Sequence, residues 1–262
     1  MTTNKHLLTK IIGIVTIVFL VFPLILIVVT SFGTEPTISF PIKGFTFAWY
    51  ANIFSQDSFT QGFITSVVIA LLASLASALV GLPAAYALTR SETKFSHFLE
   101  SVFLAPVMVP EVVLGFSLYS SLVIYAHFPL FLSLLFGHFL ICMPYTIRLL
   151  IGGLEQFDSS IEEASWVLGT SRLSGFFKMV LPNISTSIIS GFLLSFINSF
   201  NNIPVSVFLS GANVNMLPTA ILNYLQNNYD PTVSAISTCL MLLTLIFMLM
   251  AEKKLGLKSL IN

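Results

Sequence analysis

Few side chains in this sequence could do chemistry, and they gather in three places. Glu111 is the only charged residue in the apolar stretch Ser101 to Ala126. A carboxylate there is expensive, so it marks the route of a cation, a partner inside a helix bundle, or a position near an interface. Asn198, Ser199, Asn201 and Asn202 form a polar knot before Pro204 in another apolar stretch; amides can hydrogen-bond a ligand but offer it no charge. Glu162 and Glu163 stand side by side in a long polar connection. Metal and redox chemistry have no support: Cys142 and Cys239 lie in apolar runs with no Cys or His at ligand spacing, and His6, His97, His127 and His138 are scattered. No Gly-x-x-x-x-Gly-Lys-Ser/Thr loop occurs, so the chain is not expected to cradle a nucleotide. These residues predict binding and transmission, with no catalytic residue.

The elements that must position them are dictated by composition. Of the 262 residues 8% are charged and 56% hydrophobic, where soluble domains carry about 25% charge. With a mean hydropathy of +0.94, there is more apolar surface than one compact interior can hide, and a bilayer is the natural second environment. Zero net charge provides no basic field for nucleic acid. Stretches long enough to cross a bilayer, about 20 mostly apolar residues, run Ile11–Phe32, Phe63–Leu88, Ser101–Ala126, Phe128–Ile147, Ile184–Leu209 and Val233–Ala251. The first is too long for the core of a secretory leader and has no small-residue cleavage site after it, so it reads as a retained helix. Prolines 23, 83, 106, 110, 144 and 204 are tolerated in membrane helices as kinks. The runs are continuous rather than alternating, which disfavours a barrel. The expectation is an all-α membrane protein with six transmembrane helices.

Basic residues orient such a chain. With the N-terminus inside, Lys5, Lys10, Arg90, Lys94, Arg148, Arg172, Lys178, Lys253, Lys254 and Lys258 are all cytoplasmic, leaving only Lys43 outside. Both termini are therefore expected in the cytoplasm. Segment by segment, 1–33 is a short tail and first helix, 34–61 an external loop, 62–251 the membrane core with a cytoplasmic loop 148–183, and 252–262 a cytoplasmic tail.

That cytoplasmic loop is long for a connection between neighbouring helices, and it is patterned. Ser159 and Ser160 each precede a glutamate by three residues, the capping-box spacing that opens a helix. Ile161, Ala164 and Leu168 supply a short apolar stripe ending at Gly169, a favoured stop. Thr170 or Ser171 can cap a second helix carrying Leu173, Phe176, Phe177 and Val180, closed by Pro182. An exposed helix with an apolar stripe and an acidic start fits a partner's groove better than an anionic membrane surface. Trp166 is expected to pack this helix on its partner or neighbour, Trp49 and Tyr50 to anchor a segment at the interface, and most phenylalanines to supply packing or lipid-facing bulk.

The loop reads Glu163-Ala164-Ser165, three residues, Gly169, nine residues, Met179-Val180-Leu181-Pro182. It resembles the EAA loop of the membrane subunits of binding-protein-dependent ABC importers, with Ser165 for alanine and Met179 for isoleucine. Gly81-Leu82-Pro83-Ala84-Ala85-Tyr86-Ala87-Leu88-Thr89-Arg90 is similar to the Gly-x-x-x-Ala-Tyr-Ala-x-x-Arg ending usual in that superfamily. Phe47-Ala48-Trp49-Tyr50, Pro144-Tyr145 and Leu217-Pro218 look like the spermidine/putrescine branch.

The resemblance implies a type I ABC importer permease in a bacterial cytoplasmic (inner) membrane. It implies a dimer of ABC ATPase subunits that carry ATP and Mg, a second permease (a related chain or a second copy), and an external substrate-binding protein. This chain would bind no cofactor and be no enzyme. Glu162, Glu163, Ala164, Ser165, Gly169, Leu181 and Pro182 would couple it to the ATPase, and Glu111, Tyr145, Asn198, Asn201 and Asn202 are the candidates for the translocation path. A polyamine substrate is implied. Yet Asn201-Asn202 stands where an acidic pair is expected for a polyamine, which keeps aminoethylphosphonate, opines, iron and thiamine open. Interhelical bonding is an equal explanation for the asparagines. An ion-coupled secondary transporter is the rival class, and Glu111 alone gives it thin support.

Overall fold

A computed structural model describes residues 2–91 and 93–255, with 2–8 and 247–255 by backbone only. The side chains of Lys5, Lys253 and Lys254, and all of Lys258 with the tail from 256, lie outside the described residues. Among the described residues every regular element is a helix, with one isolated bridge, Gly211 to Val214, as the only β pairing.

The chain divides into two compact units, Met1–Phe59 with Ile221–Asn262, and Thr60–Ala220. In the first, α1 (Thr2–Thr30) and α13 (Thr232–Leu255) pack together and α2 (Ala48–Phe54) packs on α13. The Thr30 hydroxyl donates to that of Ser234 at 3.0 Å. Asn52 Nδ2 donates to Thr232 Oγ1 at 2.9 Å. Trp49 and Tyr50 fasten the loop after α1 to that helix's own end: Trp49 Nε1 donates to the Gly33 carbonyl at 2.6 Å, and the Tyr50 and Ser31 hydroxyls pair at 2.7 Å.

The second unit holds the residues of interest. Most of α3 (Asp57–Thr89) and all of α6 (Leu130–Gln156) are continuous apolar rods, and Pro83 and Pro144 are accommodated inside them. Between them, α4 (Lys94–Met108) and α5 (Glu111–Leu118) meet at a bend of 97°. Val109, forced to extended backbone by the following Pro110, ends α4. Glu111 then starts α5, where its charge favours the positive end of the helix dipole. The helix widens to a π turn over Tyr119–Tyr125 before the chain reverses into α6.

After α6 come α7 (Ser159–Val167), α8 (Arg172–Gly175), a π turn over Phe176–Val180 and α9 (Leu181–Asn183). Then α10 (Ser185–Phe200), α11 (Pro204–Phe208) and α12 (Leu217–Asn228) follow. One apolar cluster of Ile69, Leu134, Ile141, Val205, Leu209 and Met216 fills the centre of this unit. A second, of Ala85, Leu150, Leu154, Val180 and Ile184, lies beneath the segment containing α7 to α9.

Among the described residues three helices are long and apolar enough to cross a bilayer, Thr9–Thr30, Asp57–Thr89 and Leu130–Gln156, and up to five if each sharply bent pair counts as one span. The part of α13 whose side chains are described, Thr232–Ile246, is also an apolar helix. Two expected spans differ in form. The stretch expected as Ile184–Leu209 breaks after Phe200, where the asparagine knot and Pro204 interrupt the backbone ladder. The fourth, expected to stop at Ile147, runs on to Gln156 and absorbs Arg148 and Glu155.

Candidate functional site

The break between α10 and α11 builds the first candidate site. Asn202 occupies it with its side chain engaged at both ends. Its Oδ1 accepts from the Val205 N–H at 3.0 Å, capping α11, and its Nδ2 donates to Glu111 Oε2 at 2.7 Å. An aspartate could make the cap but not the second bond, and it would set two carboxylates against each other. The amide at 202 is thus explained by local structure. Glu111 and Asn202 come together because α5 and α11 approach closely at Gly115, where a Cβ would stand 3.0 Å from Val205 Cα and 3.1 Å from the Pro204 carbonyl oxygen.

Glu111, Ile197, Asn198, Asn201, Asn202, Ile203 and Pro204 line a cavity of about 510 Å³. Four of the five expected path residues therefore share one space. Tyr145, the fifth, is half-buried on α6 and is not among the lining residues. Asn201 is exposed and turns its Nδ2 back to the Ile197 carbonyl at 3.0 Å. Asn198 Nδ2 is buried without a partner among the described residues, an orphan donor that ordinarily needs water or a ligand. The arrangement offers one carboxylate flanked by amides, suited to holding an organic cation loosely.

Behind this cavity stands a residue that the sequence shows only as one of four scattered histidines. His138 on α6 is fully buried; its Nδ1 is 2.7 Å from Ser199 Oγ and its Nε2 is 3.1 Å from Ser206 Oγ. The two serines lie on either side of the break, and the Ser206 hydroxyl also donates to the Asn202 carbonyl at 2.6 Å. The serines flanking the Asn201–Pro204 segment were the available signal.

The second candidate site is the connection after α6. Asp158, rather than Ser159 or Ser160, caps α7: its side chain accepts from the Ser160 N–H at 2.9 Å. Bonding to Ser160 holds the Asp158 carboxyl below its ordinary range. At the far end, the Gly169 N–H reaches the Trp166 carbonyl and the Thr170 N–H the Ser165 carbonyl, at 2.9 and 3.0 Å. This closing pattern needs the positive φ of +88° at Gly169. Ser171 caps α8. Ile161, Glu163, Ala164, Val167, Leu168 and Gly169 are exposed, the last apolar pair almost completely. Leu181 is half-buried and Pro182 exposed in α9. Trp166 is half-buried beneath the Arg172 guanidinium, 5.3 Å above its ring.

Ser165 and Glu162 point the other way. Ser165 is buried and its hydroxyl donates to the Glu162 carbonyl at 2.7 Å. Glu162 is 1% exposed, with Oε1 accepting from the Tyr86 hydroxyl at 2.5 Å and Oε2 from Arg90 Nη2 at 3.0 Å. Tyr86 and Arg90, which in the sequence stand out only as part of a superfamily pattern, are thus joined to Glu162 of the acidic pair.

A family model described as "Binding-protein-dependent transport system inner membrane component" matches residues 77–253. The spermidine/putrescine transport system permease protein PotC of Haemophilus influenzae is 31% identical over 234 residues, covering 89% of this chain and 91% of that protein. PotC of Escherichia coli K12 is 28% identical over 89% of this chain and 88% of its own length. The putrescine transport system permease protein PotI of the same strain is 30% identical over 85% and 82%. Among solved structures, a chain of a bacterial ABC transporter involved in import of the acidic polysaccharide alginate superposes with a TM-score of 0.73 at 16% identity, covering 96% of each chain. At that identity the likeness speaks for the fold alone.

Proposed function

The chain belongs to the family of inner-membrane components of binding-protein-dependent transport systems, and on that premise we propose that it is the permease subunit of a polyamine importer. Its segments 1–33, 34–61, 62–251 and 252–262 then form a six-span type I permease with both termini in the cytoplasm of a bacterium. It hydrolyses nothing itself: ATP and Mg are held by two ATPase subunits. A second permease, related or identical, completes the path, and an external binding protein delivers the substrate.

The observation that carries the substrate class is the cavity shared by Glu111, Asn198, Asn201 and Asn202, together with relatives named for spermidine and putrescine. One ammonium group of a polyamine would meet the Glu111 carboxylate while amide oxygens accept its remaining hydrogens. A single charge flanked by neutral amides binds weakly, which suits a site that must also let go. Coupling runs through the exposed face of α7, with Glu163 and the stripe Ile161, Ala164 and Leu168 presented to the ATPase and Gly169 shaping the turn.

Two measurements test this. The cognate external protein, screened against putrescine, spermidine, aminoethylphosphonate, an opine, thiamine and ferric iron, is expected to bind a polyamine; binding of another member instead would replace the substrate class and leave the importer class intact. In the reconstituted complex Glu111→Gln is expected to lower putrescine uptake about tenfold, the loss of one charge-assisted contact. Uptake equal to wild type would remove Glu111 from the path.

A further inference from the structure

The two adjacent glutamates of the coupling helix face opposite ways. Successive residues on a helix are about 100° apart, so burial of Glu162 leaves Glu163 exposed; Glu163 makes no hydrogen bond or ion pair with the described residues. Glu162 cannot meet an outside partner: it is 1% exposed and both of its oxygens are taken. The two donors stand four residues apart at the end of α3, Tyr86 in its last turn and Arg90 just past its final residue, with the Arg90 N–H on the Tyr86 carbonyl. They are pre-set for the task, since the Arg90 guanidinium lies 5.6 Å over the Tyr86 ring, and that ring meets Phe176 edge-on at 4.9 Å. The other fastening of this region to α3 and α6 is the apolar cluster of Ala85, Leu150, Leu154, Val180 and Ile184, and apolar contacts can slide. A charge-assisted pair and a hydroxyl bond on a carboxylate that is itself buried, with the Arg90 side chain 28% exposed, are directional and resist separation in either direction.

We propose that Glu162 is the tie through which the coupling helix moves α3, a positioning residue distinct from Glu163, which meets the ATPase. The assignment rests on the coupling role given above to α7. When the ATPase shifts α7, the Glu162 carboxylate draws the last turn of α3 with it, and α3 carries that displacement into the membrane. Tyr86 and Arg90 are part of the same device.

The test uses the complete complex, permease pair, ATPase and binding protein in nanodiscs with putrescine. Glu162→Gln is expected to retain the ATPase in wild-type proportion yet lose substrate-stimulated hydrolysis and uptake together by about tenfold or more, the weight of a bond to a charged group. The exchanged pair Arg90→Glu with Glu162→Arg is expected to recover much of that loss, which a general weakening of the fold would not allow. Wild-type stimulation in assembled Glu162→Gln complex overturns the inference. If that variant does not assemble, Tyr86→Phe, which removes a single donor, decides the matter: loss of stimulation with the ATPase retained supports the tie, and unchanged stimulation refutes it. Glu163→Lys and Gly169→Val separate the two levels. Their loss of stimulation beside an intact Glu162→Gln response sinks the tie alone, whereas stimulation that survives both sinks the coupling role of α7 itself.

Discussion

His138 shows how one side chain can hold a broken helix in register. Its ring takes Ser199 from the last turn of α10 and Ser206 from α11, so the exposed Asn201 turn is braced from behind. His138→Leu is expected to lower the stability of the purified complex by about 1–3 kcal/mol by leaving a buried hydroxyl without its partner, and His138→Asn by less. Melting curves that coincide for His138→Leu and wild type would contradict the brace. Glu111 and the asparagine knot were legible because polar residues in an apolar run are conspicuous. His138 was not, because a lone histidine becomes informative only when its partners, here far along the chain, are brought to it. Asn202 was read as a missing acid, while the structure gives the amide a reason: it must donate to one neighbour and accept from another.

At the scale of elements, α7 is legible as a helix almost in full, since an acidic or hydroxyl cap, an apolar stripe and a glycine stop are local signals. The cap itself lies one residue earlier than expected, at Asp158, because a carboxylate satisfies the first free N–H groups as well as a serine does. Its lowered pKa gives α7 a pH dependence of definite sign. A carboxyl depressed in the folded state supports the helix above its unfolded pKa and ceases to as pH falls through the folded one. Hydrogen exchange corrected for intrinsic rates is therefore expected to show α7 losing protection as pH falls below about 4. Asp158→Asn is expected to abolish that particular trend while keeping the cap, and an unchanged trend would assign it to other carboxylates. The 97° bend between α4 and α5 has its cause in Pro110 and was foreseen as a bend. The overrun of α6 to Gln156 was not, because charge marks where apolar sequence ends, whereas a helix continues as long as its backbone ladder is supported.

For the molecule as a whole, the even sum of charges conceals a strong partition. Apart from Lys43, held by Glu35 at 2.7 Å, every Lys and Arg falls in segments assigned to the cytoplasm. Single cysteines introduced at Thr170 and at Thr37, with Cys239 replaced, should react with an impermeant maleimide from opposite sides of the membrane: Thr170 only after the cell is opened, Thr37 in intact spheroplasts. Labelling of both from one side would reverse or refute the orientation. The bidentate hold on Glu162 also limits what kind of motion can pass between the parts. One hydrogen bond is a swivel, but two bonds accepted by a single carboxylate, from Tyr86 in the last turn of α3 and from Arg90 just past its end, fix a plane. α7 can rock against the end of α3 but cannot roll about its own axis without breaking a bond, so a stroke made of rotation would be lost at this joint and one made of tilt would be passed on.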